Sequence, residues 1–143
     1  MPKDGSGLSL DGLGLPLWLV LELTYKCPLK CPWCSNPVDF DQYRNELTTE
    51  EWKKVLRAGR RLGSLQLGFT GGEPMLRNDL EELVAEADSL GYYTNLITSG
   101  VGLNKDRLRA LKKAGLKQVQ LSIQSNDRQH STKLVGVDVL DKA

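Results

Sequence analysis

The sequence predicts an α/β fold in which about four parallel strands alternate with crossover helices. Three observations carry this. Segments of strand length and strand-like pattern recur at Leu17–Leu23, a continuous apolar run ending at Glu22-Leu23, and at Leu65–Phe69, Tyr92–Thr98 and Gln118–Gln124. The segments between them place apolar residues at helical spacing. Most connections are short and marked by Gly, Asn or Thr. A βαβαβαβ order implies parallel strands joined by right-handed helical crossovers.

A chain of 143 residues, 40% of them hydrophobic, is one domain with enough apolar surface for a core. Its 19 Lys and Arg nearly balance its 18 Asp and Glu, for a net charge of +1. That balance excludes a nucleic-acid binder held by phosphate neutralisation. Charged residues at 26% beside that apolar share exclude a disordered chain. The longest apolar run, Leu17–Leu21, is far below the ~20 residues of a membrane span. Lys3 is an isolated early positive charge and no cleavage site follows it, so no signal peptide is read and a cytoplasmic chain is expected.

Each element has its own signals. Residues 1–14, rich in Gly, Ser and Asp, are expected to form a flexible N-terminal arm, with the structured domain at 15–143. Leu17–Leu23 reads as a buried strand, followed by a long loop from Thr24 to about Leu47. Thr48, with Glu51 three residues on, is a capping-box start for the first helix, and Trp52, Val55, Leu56 and Leu62 share its inner face. The second strand, Leu65–Phe69, is broken by Gly71-Gly72. Asn78 is expected to cap a second helix with the stripe Leu80, Leu83, Val84 and Ala87, closed by Gly91. Tyr92–Thr98 is the third strand, straddled by Tyr92 and Tyr93. Asn104 caps the third helix, which carries Leu108 and Leu111 and is closed by Gly115. Gln118–Gln124 is the fourth strand, Ser125–Lys133 a polar loop, and Asp138–Ala143 the start of a further helix. Four strands do not close a barrel, so the first and fourth are expected at its open edges, and the chain reads as part of a longer protein.

The first connection is the longest, and its excess follows the C-terminal end of the first strand, where α/β folds build their sites. It holds all three cysteines, Cys27, Cys31 and Cys34. An odd, tightly clustered set is a poor disulfide framework and reads as metal ligation in a reducing compartment. Three thiolates on one loop can wrap an iron–sulfur cluster and leave one iron open, since four cysteines would saturate a [4Fe–4S] centre. A structural zinc site, with the distant His130 as the only available imidazole, and three unliganded thiols are the alternatives.

Two further features lie at the same sheet end. Gly71-Gly72-Glu73-Pro74 follows the second strand; the glycines allow close backbone approach and Glu73 offers a carboxylate to an ammonium group. The plainer reading is a tight turn with a solvated acid. On the fourth strand Gln120, Ser122 and Gln124 share one face and Val119, Leu121 and Ile123 the other. A polar face on a parallel strand suits either a cavity holding a polar ligand or a wetted edge. His130 is assigned no role, and Arg57, Arg60, Arg61, Lys112 and Lys113 read as solvated helix faces. Trp18 fits the first strand and Trp52 the helix core.

Together these features resemble the radical S-adenosylmethionine (radical SAM) superfamily, whose signature is three cysteines spaced as Cys27, Cys31 and Cys34 with an aromatic residue, here Trp33, before the last. A Gly-Gly-Glu motif after the second strand and polar residues on the fourth continue the pattern, and the resemblance runs from about Leu17 to the end. The stretches PLWLVLELTYKCPLKCPWCSNP, LGFTGGEPMLRNDLEELV, TNLITSG and QLSIQ are similar to the coenzyme PQQ synthesis protein E family of the peptide-modifying SPASM group. Other SPASM peptide maturases share the general plan.

The resemblance implies a partial (β/α) TIM-like barrel of the radical SAM type. Cys27, Cys31 and Cys34 would bind a [4Fe–4S] cluster, and S-adenosyl-L-methionine would chelate its fourth iron. Trp33 would lie by the adenine, Gly71, Gly72 and Glu73 would hold the methionine ammonium, and Ser122 and Gln124 would meet the ribose. Thr98 and Ser99 would face cofactor or substrate. An external electron donor would reduce the cluster, which would cleave the sulfonium and generate a radical that takes hydrogen from a substrate. In the PQQ family that substrate is a ribosomally made precursor peptide presented by a small peptide chaperone, and a Glu–Tyr carbon–carbon bond results. No nucleic-acid or membrane partner is implied. The later core strands and the C-terminal SPASM domain have no counterpart in these residues, so only the activating half of such a site is expected.

Overall fold

The computed structural model describes residues 14–36, 39, 43 and 45–137. Its elements run β1 (Trp18–Glu22), α1 (Thr49–Arg61), β2 (Gln66–Thr70), α2 (Leu80–Ser89), β3 (Tyr93–Thr98), α3 (Lys105–Lys113), β4 (Gln118–Leu121) and α4 (Arg128–Val135), with one 3₁₀ turn at Pro74–Leu76. The four strands form one sheet in the order β1-β2-β3-β4. Every pairing is parallel, and Val20, Gly68, Asn95 and Gln118 lie in one row across the sheet. This is the α/β, partial-barrel arrangement expected, open rather than closed.

The core is the apolar face of the sheet against the helices. Leu21, Leu67, Phe69 and Leu96 meet Trp52 and Leu56 of α1, Leu80, Leu83, Val84 and Ala87 of α2, and Leu111 of α3. The alternate strand residues Trp18, Val20, Gln66 and Tyr93 are exposed. Trp18 keeps 56% of its surface in water, so it belongs to β1 without belonging to the core.

The α1 capping box is present as expected. The Thr48 hydroxyl accepts from the Glu51 N–H, and the Glu51 carboxylate accepts from the Thr48 N–H. Asn104 caps α3 through the N–H groups of Asp106 and Arg107. The expected Asn78 cap of α2 is not formed: Asp79 holds the cap position with ψ 11° and makes no side-chain cap bond. The helix forms regardless because Leu80, Leu83, Val84 and Ala87 are fully buried. At about 1.5–3 kcal/mol per large apolar side chain, that face outweighs a missing cap worth about 1 kcal/mol.

Other expectations are corrected. Leu62 and Leu108 are 43% and 44% exposed, outside the core stripes assigned to them. Arg60 is no solvated face residue; it donates to the carbonyls of Leu90 and Ser64 and lies over the Tyr92 ring. Arg57 does sit at the surface, paired with Glu86. Tyr92 precedes β3 and is buried, whereas Tyr93 begins the strand and is half exposed. β4 ends at Leu121, short of Gln124, although the Ser122 N–H still donates to the Thr98 carbonyl at 2.9 Å. Of its expected apolar face only Val119 packs on the core; Leu121 and Ile123 are exposed. The segment read as a polar loop instead carries most of α4, which runs on to Val135, is capped by Asp127 through the His130 N–H and is closed by Gly136 in the left-handed region. The proposed arm apart from Gly14, and the expected helix start at 138–143, lie outside the described residues. No helix among the described residues is long and apolar enough to cross a membrane.

Candidate functional site

At the C-terminal edge of the sheet the loop after β1, the turn after β2 and the ends of β3 and β4 surround a cavity of about 240 Å³. Its wall contains all eleven residues assigned to the cofactor site from the sequence: Cys27, Cys31, Trp33, Cys34, Gly71, Gly72, Glu73, Thr98, Ser99, Ser122 and Gln124. They come from four separate stretches of chain, and parallel topology brings them together because every strand ends on the same side. Gln120 is not among them; it stands exposed on the open sheet face, as a wetted edge residue does.

The glycine pair explains how the cysteine loop reaches the sheet. The Gly72 N–H donates to the Thr24 carbonyl at 2.7 Å, and the Glu73 N–H donates to the Lys26 carbonyl at 2.8 Å. Gly71 has φ 130°, and a Cβ there would collide with the Thr24 backbone. A Cβ on Gly72 would overlap the Lys26 carbonyl and crowd Cys27. Two residues without side chains therefore let two backbone segments lie in contact.

Glu73 is the buried centre of the opposite wall, with 1% of its surface exposed, so the solvated-acid reading does not hold. One carboxylate oxygen accepts from the Thr98 hydroxyl at 2.6 Å and the Met75 N–H at 3.0 Å. The other accepts from the Ser99 N–H at 2.9 Å and the Ser99 hydroxyl at 2.5 Å. Four donors hold the group in one orientation, as a buried carboxylate requires. Thr98 thus serves Glu73 while also lining the cavity.

The thiol side is held differently. All three cysteines are free; Cys27 and Cys34 are exposed and Cys31 is partly covered. Their loop is anchored through its backbone and one amide: the Lys30 N–H donates to the Val135 carbonyl at the end of α4, and the Asn36 side chain donates to the Gly71 carbonyl. Burial of the cavity-facing Cys27 raises its thiol pKa despite its surface exposure, and the charge of Glu73 and that of Cys31 or Cys34 when ionised add to this. Burial, then Cys34, pushes up Cys31. Raised values keep protons on these sulfurs, which a metal centre must displace.

Among the described residues no three Cys, His, Asp or Glu side chains converge on a single metal ion. A zinc site needs its donors about 2.3 Å from one point. A cluster places each thiolate on a different iron and suits donors spread along a loop. Soft sulfur donors in this number fit an iron–sulfur centre.

Sequence reasoning missed several contributors. Asn36 and Arg77 lie inside the stretches similar to the PQQ synthesis family but were assigned no role there, and Val135 lies in none of those stretches. Arg77 is legible only as a cation three residues past Pro74 of the Gly-Gly-Glu-Pro turn.

The sequence profile of the radical SAM superfamily matches residues 21–141. The fold matches the crystal structure of Streptococcus suis SuiB bound to the precursor peptide SuiA, with a TM-score of 0.77 and 28% identity over 90% of this chain. It also matches SuiB bound to S-adenosylmethionine, with a TM-score of 0.73 and 27% identity over 90% of the chain. The chain spans 28% of the length of each of these SuiB chains. The chain belongs to the radical SAM superfamily, whose members work with a [4Fe–4S] cluster and S-adenosylmethionine.

Proposed function

We propose that residues 15–143 form the N-terminal, cofactor-activating part of a cytoplasmic radical SAM enzyme that modifies a ribosomally made peptide. The observation that carries this is one cavity walled together by three free thiols, a buried carboxylate and the polar residues that follow β4. Cys27, Cys31 and Cys34 would hold the cluster through three irons. Gly71, Gly72 and Glu73 would receive the methionine ammonium, Trp33 would cover the adenine, and Ser122 with Gln124 would meet the ribose. When bound and reduced by an external donor, the cofactor pair supplies one-electron cleavage of a sulfonium and with it hydrogen abstraction.

The chain's own residues do the rest. Glu73 presents fixed negative charge to an incoming ammonium, and it is pre-oriented, so little reorganisation is needed. The Ser99 hydroxyl is the donor able to rotate off the carboxylate when an ammonium arrives. The half-exposed Trp33 supplies a flat apolar face for a base.

For the substrate, the motifs shared with the PQQ synthesis family favour a Glu–Tyr carbon–carbon crosslink in a precursor peptide delivered by a peptide chaperone, with a SPASM domain elsewhere in the protein. Similarity to a SuiB structure holding its precursor peptide supports a second reading, a maturase for a different peptide.

Anaerobic reconstitution tests the cofactor reading. A brown protein whose reduced EPR signal changes on adding S-adenosylmethionine, and which yields 5′-deoxyadenosine with dithionite, supports it. A colourless protein retaining one zinc and forming no 5′-deoxyadenosine rejects it. Mass spectrometry of a PQQ-type precursor peptide, seeking loss of two hydrogens between Glu and Tyr, separates the two substrate readings.

A further inference from the structure

We propose that Arg77 is a positioning residue that fixes the cysteine loop against the Gly71–Gly72–Glu73 turn and thereby shapes the S-adenosylmethionine site. This deepens the reading above and rests on it for the ligand, though not for the geometry.

Arg77 does not line the cavity. Its guanidinium is instead almost wholly covered, with the side chain 11% exposed. One nitrogen donates to the Leu23 carbonyl at 2.9 Å and to the Leu47 carbonyl at 3.3 Å. Leu23 is the residue before the cysteine loop begins, and Leu47 is where that loop ends. A single planar group therefore closes both ends of the longest connection in the fold.

The other nitrogens grip Asp79 in a two-pronged pair at 2.8 and 2.6 Å. Asp79 also accepts from the Thr49 hydroxyl at 2.6 Å, which ties in the start of α1. This commitment accompanies the absent side-chain cap on α2, since the carboxylate at the cap position turns to Arg77 and Thr49 instead. Arg107 of α3 holds the backbone beneath, donating to the carbonyls of Arg77 and Met75. Glu46 completes the cradle by accepting from the Thr24 hydroxyl and the Tyr25 N–H.

The consequence is geometric. Leu23 to Lys26 is gripped from below by Arg77 and Glu46 and from the side by the Gly72 and Glu73 N–H groups. Loosening Arg77 frees the strip that carries Cys27 relative to the carboxylate that would face the ammonium. Small displacements of binding groups cost affinity steeply. Lysine cannot replace the fork, because one ammonium lacks the planar set of donors that serves a carboxylate and two carbonyls together.

The test uses Arg77→Lys, with Asp79→Asn as a second variant of near-identical shape. In the cofactor-free protein, amide hydrogen exchange at Gly72 and Glu73 should accelerate at least about tenfold, while Leu96 in β3 stays within about twofold. After reconstitution to equal iron, S-adenosylmethionine should bind about tenfold more weakly and perturb the reduced EPR signal less. Unchanged exchange at Gly72 and Glu73 in both variants overturns the proposal. So does loosening of the whole sheet in parallel, or failure of both variants to fold, since either assigns the fork to stability alone. If the unsubstituted protein binds no S-adenosylmethionine, the functional reading falls, and the exchange pattern still decides the role of Arg77.

Discussion

The two walls of the cavity are built on opposite terms. Glu73 is buried, bonded by four donors and rigid before any ligand arrives. The thiol wall presents three free sulfurs on a loop anchored chiefly by backbone contacts. A buried carboxylate has no stable state without partners, so the fold must supply them itself. Thiols at the surface need no such partners, because water can meet them. One wall is fixed by its own buried hydrogen bonds, and the other leaves its sulfurs largely open to solvent.

That contrast is broken most sharply at Cys31. Cys31→Ser should reduce bound iron from about four per chain to background, measured by metal analysis after reconstitution. The cofactor-free protein should keep its urea unfolding free energy within about 0.5 kcal/mol. A large loss of stability would show the thiol wall to be structural.

Glu73→Gln probes the other wall. The amide nitrogen would face donors that now meet an oxygen, so unfolding in urea should become about 2–3 kcal/mol easier even without cofactor. An unchanged midpoint would mean that the four bonds add nothing net. Gly72→Ala tests the contact between the walls: displacing the Lys26 carbonyl should cost about 1–3 kcal/mol and lower cluster loading together. Gly68→Ala on the open face is its control, because a Cβ there reaches the Trp18 indole only at 3.4 Å.

The smallest effect is the pH dependence of Asp79. Burial alone would raise its carboxyl pKa, but hydrogen bonds from Arg77 and Thr49 overcome this and hold it below the usual 3.8. A depressed folded-state value contributes stability above pH 3.8, lost as pH falls through the lower folded value. The urea stability gap between the unsubstituted protein and Asp79→Asn should therefore be constant near neutrality and close on acidification below pH 3.8. A gap that widens in acid would reverse the assignment.

Much of this was legible in the residues. The α2 stripe and the Asn104 and Thr48 caps are local patterns, and they appear where periodicity and capping place them. The gathering of cysteines, Gly-Gly-Glu and β4 polar residues followed from strand polarity alone, since all lie after or at strand ends. α4 was missed because only Ser131 and Val135 of its eight residues are buried, too few for an apolar stripe. Its bracketing Asp127 and Gly136 were the available signal. The burial of Glu73 was also hidden, because its donors Thr98 and Ser99 lie at the end of the neighbouring strand, and no local pattern pairs residues 25 or 26 positions apart.

Among the described residues, β1 and β4 each have a neighbour on one side only. Their outer backbone groups, with Trp18, Val20 and Tyr93 bare on the adjoining face, make an adhesive rim. Purified at high concentration, this polypeptide should self-associate through that rim before its chemistry is ever assayed. Dilute handling and a check of particle size by light scattering therefore belong ahead of every spectroscopic experiment on it.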